Sequence, residues 1–473
     1  MNQITLPAQE LKQALAGLGK VVGRKTTLPV LQTIKLSRAV DGHVSLTATD
    51  LDSFVAYQVE NPQAGQPIEL LLPFEQLNKS LKGSTGEITV TPESKHKAKI
   101  RYQIGGSALE QSLTTTPVEE FPPIPNITEV PGKMPANFGE TLRQAFETSS
   151  TDESRYILHG AYLDVKEPKC HSIVSTNGRC LFAANSFTFD LKSSVNLMRH
   201  KFLAWSGFLD GECLLAVKND KANSSWVKLT TPRWHCTIKQ IEGNYPNWRQ
   251  VVPADTEKWT RVILNDETLA QMLRLSSKLP GDDTDNRTLQ IRVGKDLHLE
   301  GRNKDDKEFT SAEILGATIT GKPVVIGLNR EYLQTALQGG LNEIRINNEL
   351  TPMVFLNGGK KLVVMPVRLN GPTTQVPAKP TTPPASVPPT AETKPAAEES
   401  KTNMPKETPK PEPARQPSLL DQLEQVKESA KNLVRDLTGL TDAVKQMEKD
   451  KRAGEKEVEN ARAVLKKLQQ VQV

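Results

Sequence analysis

Leu77-Asn-Lys-Ser-Leu-Lys-Gly83 decides how this chain is read, because its pattern returns as Trp205, Leu209 and Gly211 and again as Leu333, Leu337 and Gly339, each 128 positions after its predecessor. Apolar residues four apart share one face of a helix. A glycine two residues further on suits the left-handed backbone that closes one. A second set keeps nearly the same interval. Val44-Ser-Leu-Thr-Ala-Thr-Asp50, Ser172-Ile-Val-Ser-Thr-Asn177 and Leu297-His-Leu-Glu-Gly-Arg-Asn303 are alternating strands that each end on an Asx residue, 127 and then 126 positions apart. Two independent registers that agree mean one structural unit used three times.

Outward from that signature, each unit reads in the same order. An amphipathic helix comes first, marked by Leu11, Leu15, Leu18 and Val22, then by Leu142 and Phe146, then by Leu269, Met272 and Leu273. Pro7 and Pro135 suit a first helical turn, and Asn265 or Asp266 suits an N-cap. Strands follow, then the short signature helix closed by its glycine, then another strand: Glu87–Val90, Cys213–Val217 or Glu343–Ile346. The fold class expected is α+β, with two helices and several antiparallel strands per unit.

Proline and turn residues place the boundaries, at Phe121–Asn126 and Pro131-Gly132 and then at Pro246, Pro253 and Asp255. The units expected are 1–127, 131–255 and 257–370. Between Pro372 and Pro417 stand thirteen prolines and no aromatic residue, a composition that cannot bury enough surface to fold, so 371–417 reads as a disordered linker. From 418 to 473 the apolar residues Leu419, Leu423, Val426, Ala430, Leu433, Leu437, Leu440, Val444 and Met447, continued by Val458, Ala461, Leu465 and Leu468, step by four and three. That is a coiled-coil seam, weakened where Lys451 and Gly454 fall on it. Whether it pairs with a copy of itself, pairs with another partner or folds back as a hairpin stays open.

Composition narrows the function. The formal net charge is +5, with 17 Lys and Arg against 15 Asp and Glu after residue 370, so neither part has the dense cationic footprint of a tight nucleic-acid binder. No signal segment and no apolar run long enough to span a membrane is seen, which places the protein in the cytoplasm. Cys170, Cys180, Cys213 and Cys236 lack paired spacing and read as reduced, mostly packed thiols. Gly358-Gly-Lys-Lys361 is too short for a phosphate loop and reads as a turn between strands. Gly281-Asp-Asp-Thr-Asp285 lacks the spacing of a calcium loop, and His171 and His235 read as strand residues. No constellation argues for catalysis, a cofactor or a metal.

Several blocks together resemble the bacterial DNA polymerase III beta subunits, the sliding clamps. They are Arg24-Lys-Thr-Thr-Leu-Pro-Val-Leu31, Leu46–Leu51, Ser154-Arg-Tyr-Ile-Leu-His-Gly160, Ser175-Thr-Asn-Gly178, Gly243-Asn-Tyr-Pro-Asn-Trp-Arg249 and Val363-Val-Met-Pro-Val-Arg-Leu369. The resemblance covers residues 1 to about 369. It implies a ring of two chains around double-stranded DNA, not an enzyme, that tethers the DNA polymerase III alpha subunit, the clamp loader and repair proteins through a short peptide motif. Encirclement also accounts for weak charge, since a sliding ring needs only scattered phosphate contacts.

The same resemblance implies site residues. Arg24 and Tyr156 match DNA-contacting positions, and Arg199, Lys201, Lys79 and Lys82, with Lys12, Lys20 and Arg143, are cations on helices or loops that could face the duplex. A partner-peptide pocket would be formed by Leu158, Thr176, Gly178, Leu181, Pro246 and Val251 with Val364, Met365, Pro366, Arg368 and Leu369. Arg179-Cys180 and Gln250 depart from the family pattern at its rim, as do Lys278 and Pro280 near the subunit interface. In the tail, Gln416, Ser418, Leu419 and Leu420 resemble the motif that partners insert, and about 46 flexible residues would span roughly 40 Å r.m.s.. The alternative function is a clamp-like scaffold whose coiled coil recruits partners or regulates the pocket without free sliding.

Overall fold

A computed structural model describes residues 3–369, apart from 24–25, 210, 219–224, 255 and 285. The linker, the coiled coil and the Gln416–Leu420 motif lie outside the described residues.

Five α-helices are present among the described residues: α1 (Ala8–Leu18), α2 (Phe74–Ser80), α3 (Phe138–Glu147), α4 (Asp266–Ser276) and α5 (Arg330–Gln338). Their apolar periodicity does what it predicts. Leu11, Leu15 and Leu18 of α1, Leu142 and Phe146 of α3, Met272 of α4 and Leu333 and Leu337 of α5 are all buried, each such side chain contributing about 2 kcal/mol of transfer free energy. Asn265 caps α4, its side chain accepting from Thr268 N at 2.8 Å. Pro7 instead ends an opening strand, Ile4–Pro7, and stands just ahead of α1. Pro135 precedes α3 by three residues and its carbonyl accepts from Phe138 N at 2.9 Å. Each copy therefore begins with a short strand that the hydrophobic periodicity does not register: Ile4–Pro7, Gly132–Lys133 and Thr260–Ile263.

The signature segment departs from expectation in two copies. Between Lys201 and Leu209 the chain makes turns and no helix. Gly207 interrupts the segment, and a Cβ there would lie 2.4 Å from the Trp205 ring. Trp205 packs edge-on to Trp234, ring centroids 5.6 Å apart, and Phe202 and Phe208 join that cluster at centroid distances of 5.1 Å to Trp234 and 4.5 Å to each other. Aromatic packing here outweighs a weak helix propensity of about 1 kcal/mol lost at glycine. In the third copy Gly339, the residue after α5, has ordinary right-handed backbone at φ −73°, and the left-handed residue is Gly340 at φ +72°. Gly83 and Gly211 do adopt positive φ.

Among the described residues all sheet pairings are antiparallel, and the strands make four sheets. A four-stranded sheet at one end holds Ile4–Pro7, Ser84–Ser94, Lys97–Ile104 and Ser107–Thr114 in that order, and one at the other holds Thr310–Ile314, Leu297–Gly301, Thr288–Val293 and Val324–Asn329. Between them, two larger sheets run through the junctions of copies. The eight-stranded sheet joins Ser53–Gln58 to Trp234–Lys239, with Tyr57 opposite Trp234. The nine-stranded sheet joins Cys180–Phe187 to Lys360–Val364, with Cys180 opposite Val364. The junctions are thus main-chain ladders, and one contiguous apolar core runs beneath α1, α3 and α5 through all three copies. Among the described residues, Ser107–Thr114 and Thr310–Ile314 are paired on one side only, and both are largely exposed.

Candidate functional site

An apolar cavity of about 190 Å³ opens beside the second junction. Its floor comes from strand ends. Thr176 closes the strand His171–Thr176, and its hydroxyl donates to Cys180 O at 2.6 Å while accepting from Gly178 N at 3.0 Å. Asn177 accepts from Arg179 N and Cys180 N at 2.9 and 3.0 Å. Gly178 sits at φ +85°, and a Cβ there would come within 2.7 Å of Arg155 Nη1, so the turn requires glycine. This Asx-type turn carries Leu181 into the cavity and Arg179 to its rim, where the guanidinium donates to Asn286 Oδ1 at 3.5 Å. Burial pushes the Cys180 thiol up to about 12 and outweighs its hydrogen bonding with Asn177, so this neutral thiol is a packing group.

Leu158, Thr176, Gly178, Leu181, Pro246, Val251 and Met365 line this cavity, as the resemblance implies. Val251 and Met365 stand 51% and 45% exposed, an unusual outlay of apolar surface that leaves the pocket open to a ligand. Val364 does not line it. Successive strand residues face opposite sides, so Val364 points into the main core at 0% exposure and its neighbour Val363 lines the pocket. Arg368 and Leu369 belong to an adjacent, more polar cavity of about 220 Å³ with Asn286, Arg302 and Phe309, and Pro366 lines neither. Gln250 ends the 3-10 turn Trp248–Gln250 and is exposed.

One wall was not anticipated. Trp248 lines the pocket, its indole N–H donating to Asp164 Oδ2 at 2.9 Å and its ring lying 4.5 Å beneath the Arg249 guanidinium. Its position inside the recognised Gly243–Arg249 block was the available signal.

The candidate cations divide. Lys20, Arg199 and Lys201 face one cleft of about 650 Å³ where the end of α1 meets the segment after the strand Val195–Met198. Asp50 and His200 hold that cleft together at 3.0 Å across two copies. Burial opposes ionisation of Asp50, yet His200 and the Ser53 donors outweigh it and keep the carboxyl below the usual carboxylate range. Lys79 and Lys82 are exposed at the end of α2 and just beyond. Lys12 donates to Ser84 O at 2.6 Å, and Arg143 lines a separate cleft between α3 and α5. Tyr156, 55% exposed, is turned toward the loop and donates to Glu242 O at 2.5 Å. Arg24 lies outside the described residues. Pro280 adjoins the buried Arg330, which donates to Pro280 O at 2.8 Å and pairs with Asp282 at 3.0 Å, while Lys278 is exposed.

The remaining motifs resolve as local structure. Gly358-Gly359 is a two-residue turn, with Asn357 opposite Lys360. In the acidic loop Asp282 pairs with arginine and Asp283 accepts from Lys304 N at 3.0 Å. His171 begins a strand and accepts from Phe189 N at 2.7 Å, and His235 lies mid-strand. Cys180, Cys213 and Cys236 are buried free thiols and Cys170 is exposed. Among the described residues no group of three His, Cys, Asp or Glu could hold a metal ion, and no helix is long and apolar enough to cross a membrane.

Comparison with known proteins agrees with this geometry. The sequence model of the DNA polymerase III beta subunit N-terminal domain matches residues 2–125. The beta sliding clamp of Pseudomonas putida is 24% identical over 380 residues, covering 77% of this chain and 99% of its own, and that of Escherichia coli K12 is 24% identical over 341 residues, covering 71% and 89%. The crystal structure of the DNA polymerase sliding clamp from Bacillus subtilis shares the fold at 19% identity, with a TM-score of 0.66 and coverage of 78% of this chain and 99% of that one. With its thrice-used unit and its antiparallel junctions, the chain is similar to the beta sliding clamps over three quarters of its length, and its residues 2–125 match the N-terminal domain of the DNA polymerase III beta subunit.

Proposed function

We propose that this protein is a DNA sliding clamp: two copies close head to tail around duplex DNA and tether the replicative polymerase, conferring processivity without catalysing a reaction. The observation that carries this reading is the pair of outer strands, Ser107–Thr114 and Thr310–Ile314, each lacking a neighbour on one side at opposite ends of a chain whose internal junctions are continuous sheets. A strand with unpaired main-chain groups is completed by another strand, and two different ends meeting head to tail generate a closed ring when the rotation closes. Encirclement supplies retention by topology, so Lys20, Arg199, Lys201, Lys79 and Lys82 need make only weak phosphate contacts.

In this reading the apolar pocket receives short peptides from the polymerase alpha subunit, the clamp loader and repair proteins, each burying apolar anchors against Leu158, Leu181, Val251 and Met365. The three copies act as clamp domains over 1–127, 131–255 and 257–370, and the cytoplasm of a bacterium is the compartment that supplies these partners. The test is retention on DNA after treatment with a clamp loader. The protein stays on circular plasmid in high salt and runs off the same plasmid once it is linearised. Equal loss from both forms would overturn the proposal.

A further inference from the structure

We propose that Asp164 is a positioning residue of the peptide pocket, acting at a distance by fixing the Trp248 wall. This deepens the reading of the pocket given above and rests on it.

The loop that carries Trp248 is held from the side. Among the described residues, 243–251 makes no main-chain hydrogen bond to the sheets, its one main-chain bond being internal, from Val251 N to Trp248 O at 3.1 Å. Its attachments are side chains: Tyr245 stacks on Tyr162 with ring centroids 4.5 Å apart, and Trp248 and Arg249 both converge on Asp164. Asp164 ends the strand Gly160–Asp164 and its side chain is 1% exposed. Oδ1 accepts from Lys166 N at 3.0 Å, while Oδ2 accepts from the indole N–H at 2.9 Å and from Arg249 Nη1 at 2.5 Å.

An unpaired carboxylate at this depth would be costly, so its acceptor sites fix where their donors sit. The indole N–H, with a single donor and one partner, has its ring plane set by that oxygen. Arg249 closes the other side, its guanidinium lying over the ring it shares with the pocket. Asp164 itself lines no part of the cavity. The geometry therefore assigns the carboxylate to presentation of an indole face, a rigid, pre-oriented surface that spares the bound peptide part of the ordering cost.

The test measures binding of a fluorescein-labelled Gln-Pro-Ser-Leu-Leu peptide to the full chain by anisotropy, with urea unfolding of each variant alongside. Asp164→Asn keeps the shape and loses the charge. It is expected to weaken peptide binding roughly tenfold, the scale of one charge-assisted hydrogen bond. Trp248→Phe removes the N–H and leaves a ring; in that background Asp164→Asn is expected to change binding less than about twofold, because the two groups act as one unit. The same tenfold loss in both backgrounds means that Asp164 acts through general stability, and overturns the proposal. Should Asp164→Asn fail to fold, Trp248→Phe alone decides: it keeps the carboxylate and Arg249 in place, and unaltered affinity overturns the proposal. If the wild-type chain does not bind the peptide, the pocket reading falls first and this assignment with it. Wild-type binding with no effect of either variant sinks the positioning role alone.

Discussion

Gly17→Ala sets two opposing terms against each other in one methyl group. Gly17 lies inside α1, where alanine ordinarily stabilises by about 1 kcal/mol through backbone entropy. A Cβ at this position would stand 2.3 Å from the far edge of the Trp234 indole and 2.7 Å from the Trp205 ring. Ordinary contact begins near 3.4 Å, so the indole must retreat by about 1 Å. It has little room: Tyr57 packs at 4.7 Å, Phe202 at 5.1 Å and Trp205 at 5.6 Å between centroids, and Trp234 belongs to the strand that joins the first two copies. Overpacking of this kind costs about 2–3 kcal/mol, which exceeds the helical gain and leaves a net destabilisation of about 1–2 kcal/mol. Urea unfolding followed by tryptophan fluorescence should show the first transition moving down by about 0.5 M with an unchanged slope. A midpoint that rises, as at an exposed helical glycine, would refute the claim that α1 and Trp234 are in closest approach.

Val363→Ala should weaken binding of a clamp-binding peptide and Val364→Ala should leave the peptide's affinity intact, although both side chains are buried and each truncation should cost about 2 kcal/mol in urea unfolding; the opposite binding pattern means that the strand faces are assigned in reverse. The Asp50 carboxyl is held below its usual range, so its contribution is fully present above the unfolded carboxylate value and is lost as pH falls through the lower folded value. Asp50→Asn should therefore be less stable than wild type at neutral pH and converge on it in acid, read as urea midpoints between neutral pH and about pH 3. The Cys213 thiol is pushed up to about 12 by burial and Cys180 likewise, so a thiol reagent at pH 8 should titrate only the exposed Cys170 in the native protein and all four cysteines in denaturant.

Much of the fold is legible in the chain because helical periodicity and the 128-residue interval are both long signals. Leu11, Leu15 and Leu18 announce α1 as plainly as Leu333 and Leu337 announce α5. The short opening strands are not announced, since two to four residues carry too few alternations, and Gly132–Lys133 has no apolar side chain at all. The middle copy keeps the spacing of Trp205, Leu209 and Gly211 yet forms turns, because aromatic packing decides what spacing alone leaves open. At the cavity, the blocks of sequence name Val364, whereas the alternation of the strand puts its neighbour Val363 on the lining. Asp164 was invisible for a different reason: it is 84 positions from the tryptophan it holds, and only folding brings the two together.

The two junction ladders also set where this chain can yield. Five register pairs cross from Ser53–Gln58 to Trp234–Lys239, and five more from Cys180–Phe187 to Lys360–Val364. Such a ladder resists bending as a block, because its hydrogen bonds must break together, so each junction behaves as a stiff joint between three plates in series. Compliance in a series of joints resides in the weakest. In the proposed ring that would be the contact of Ser107–Thr114 of one copy with Thr310–Ile314 of the other, so each covalent chain would form a rigid half and those contacts the gates.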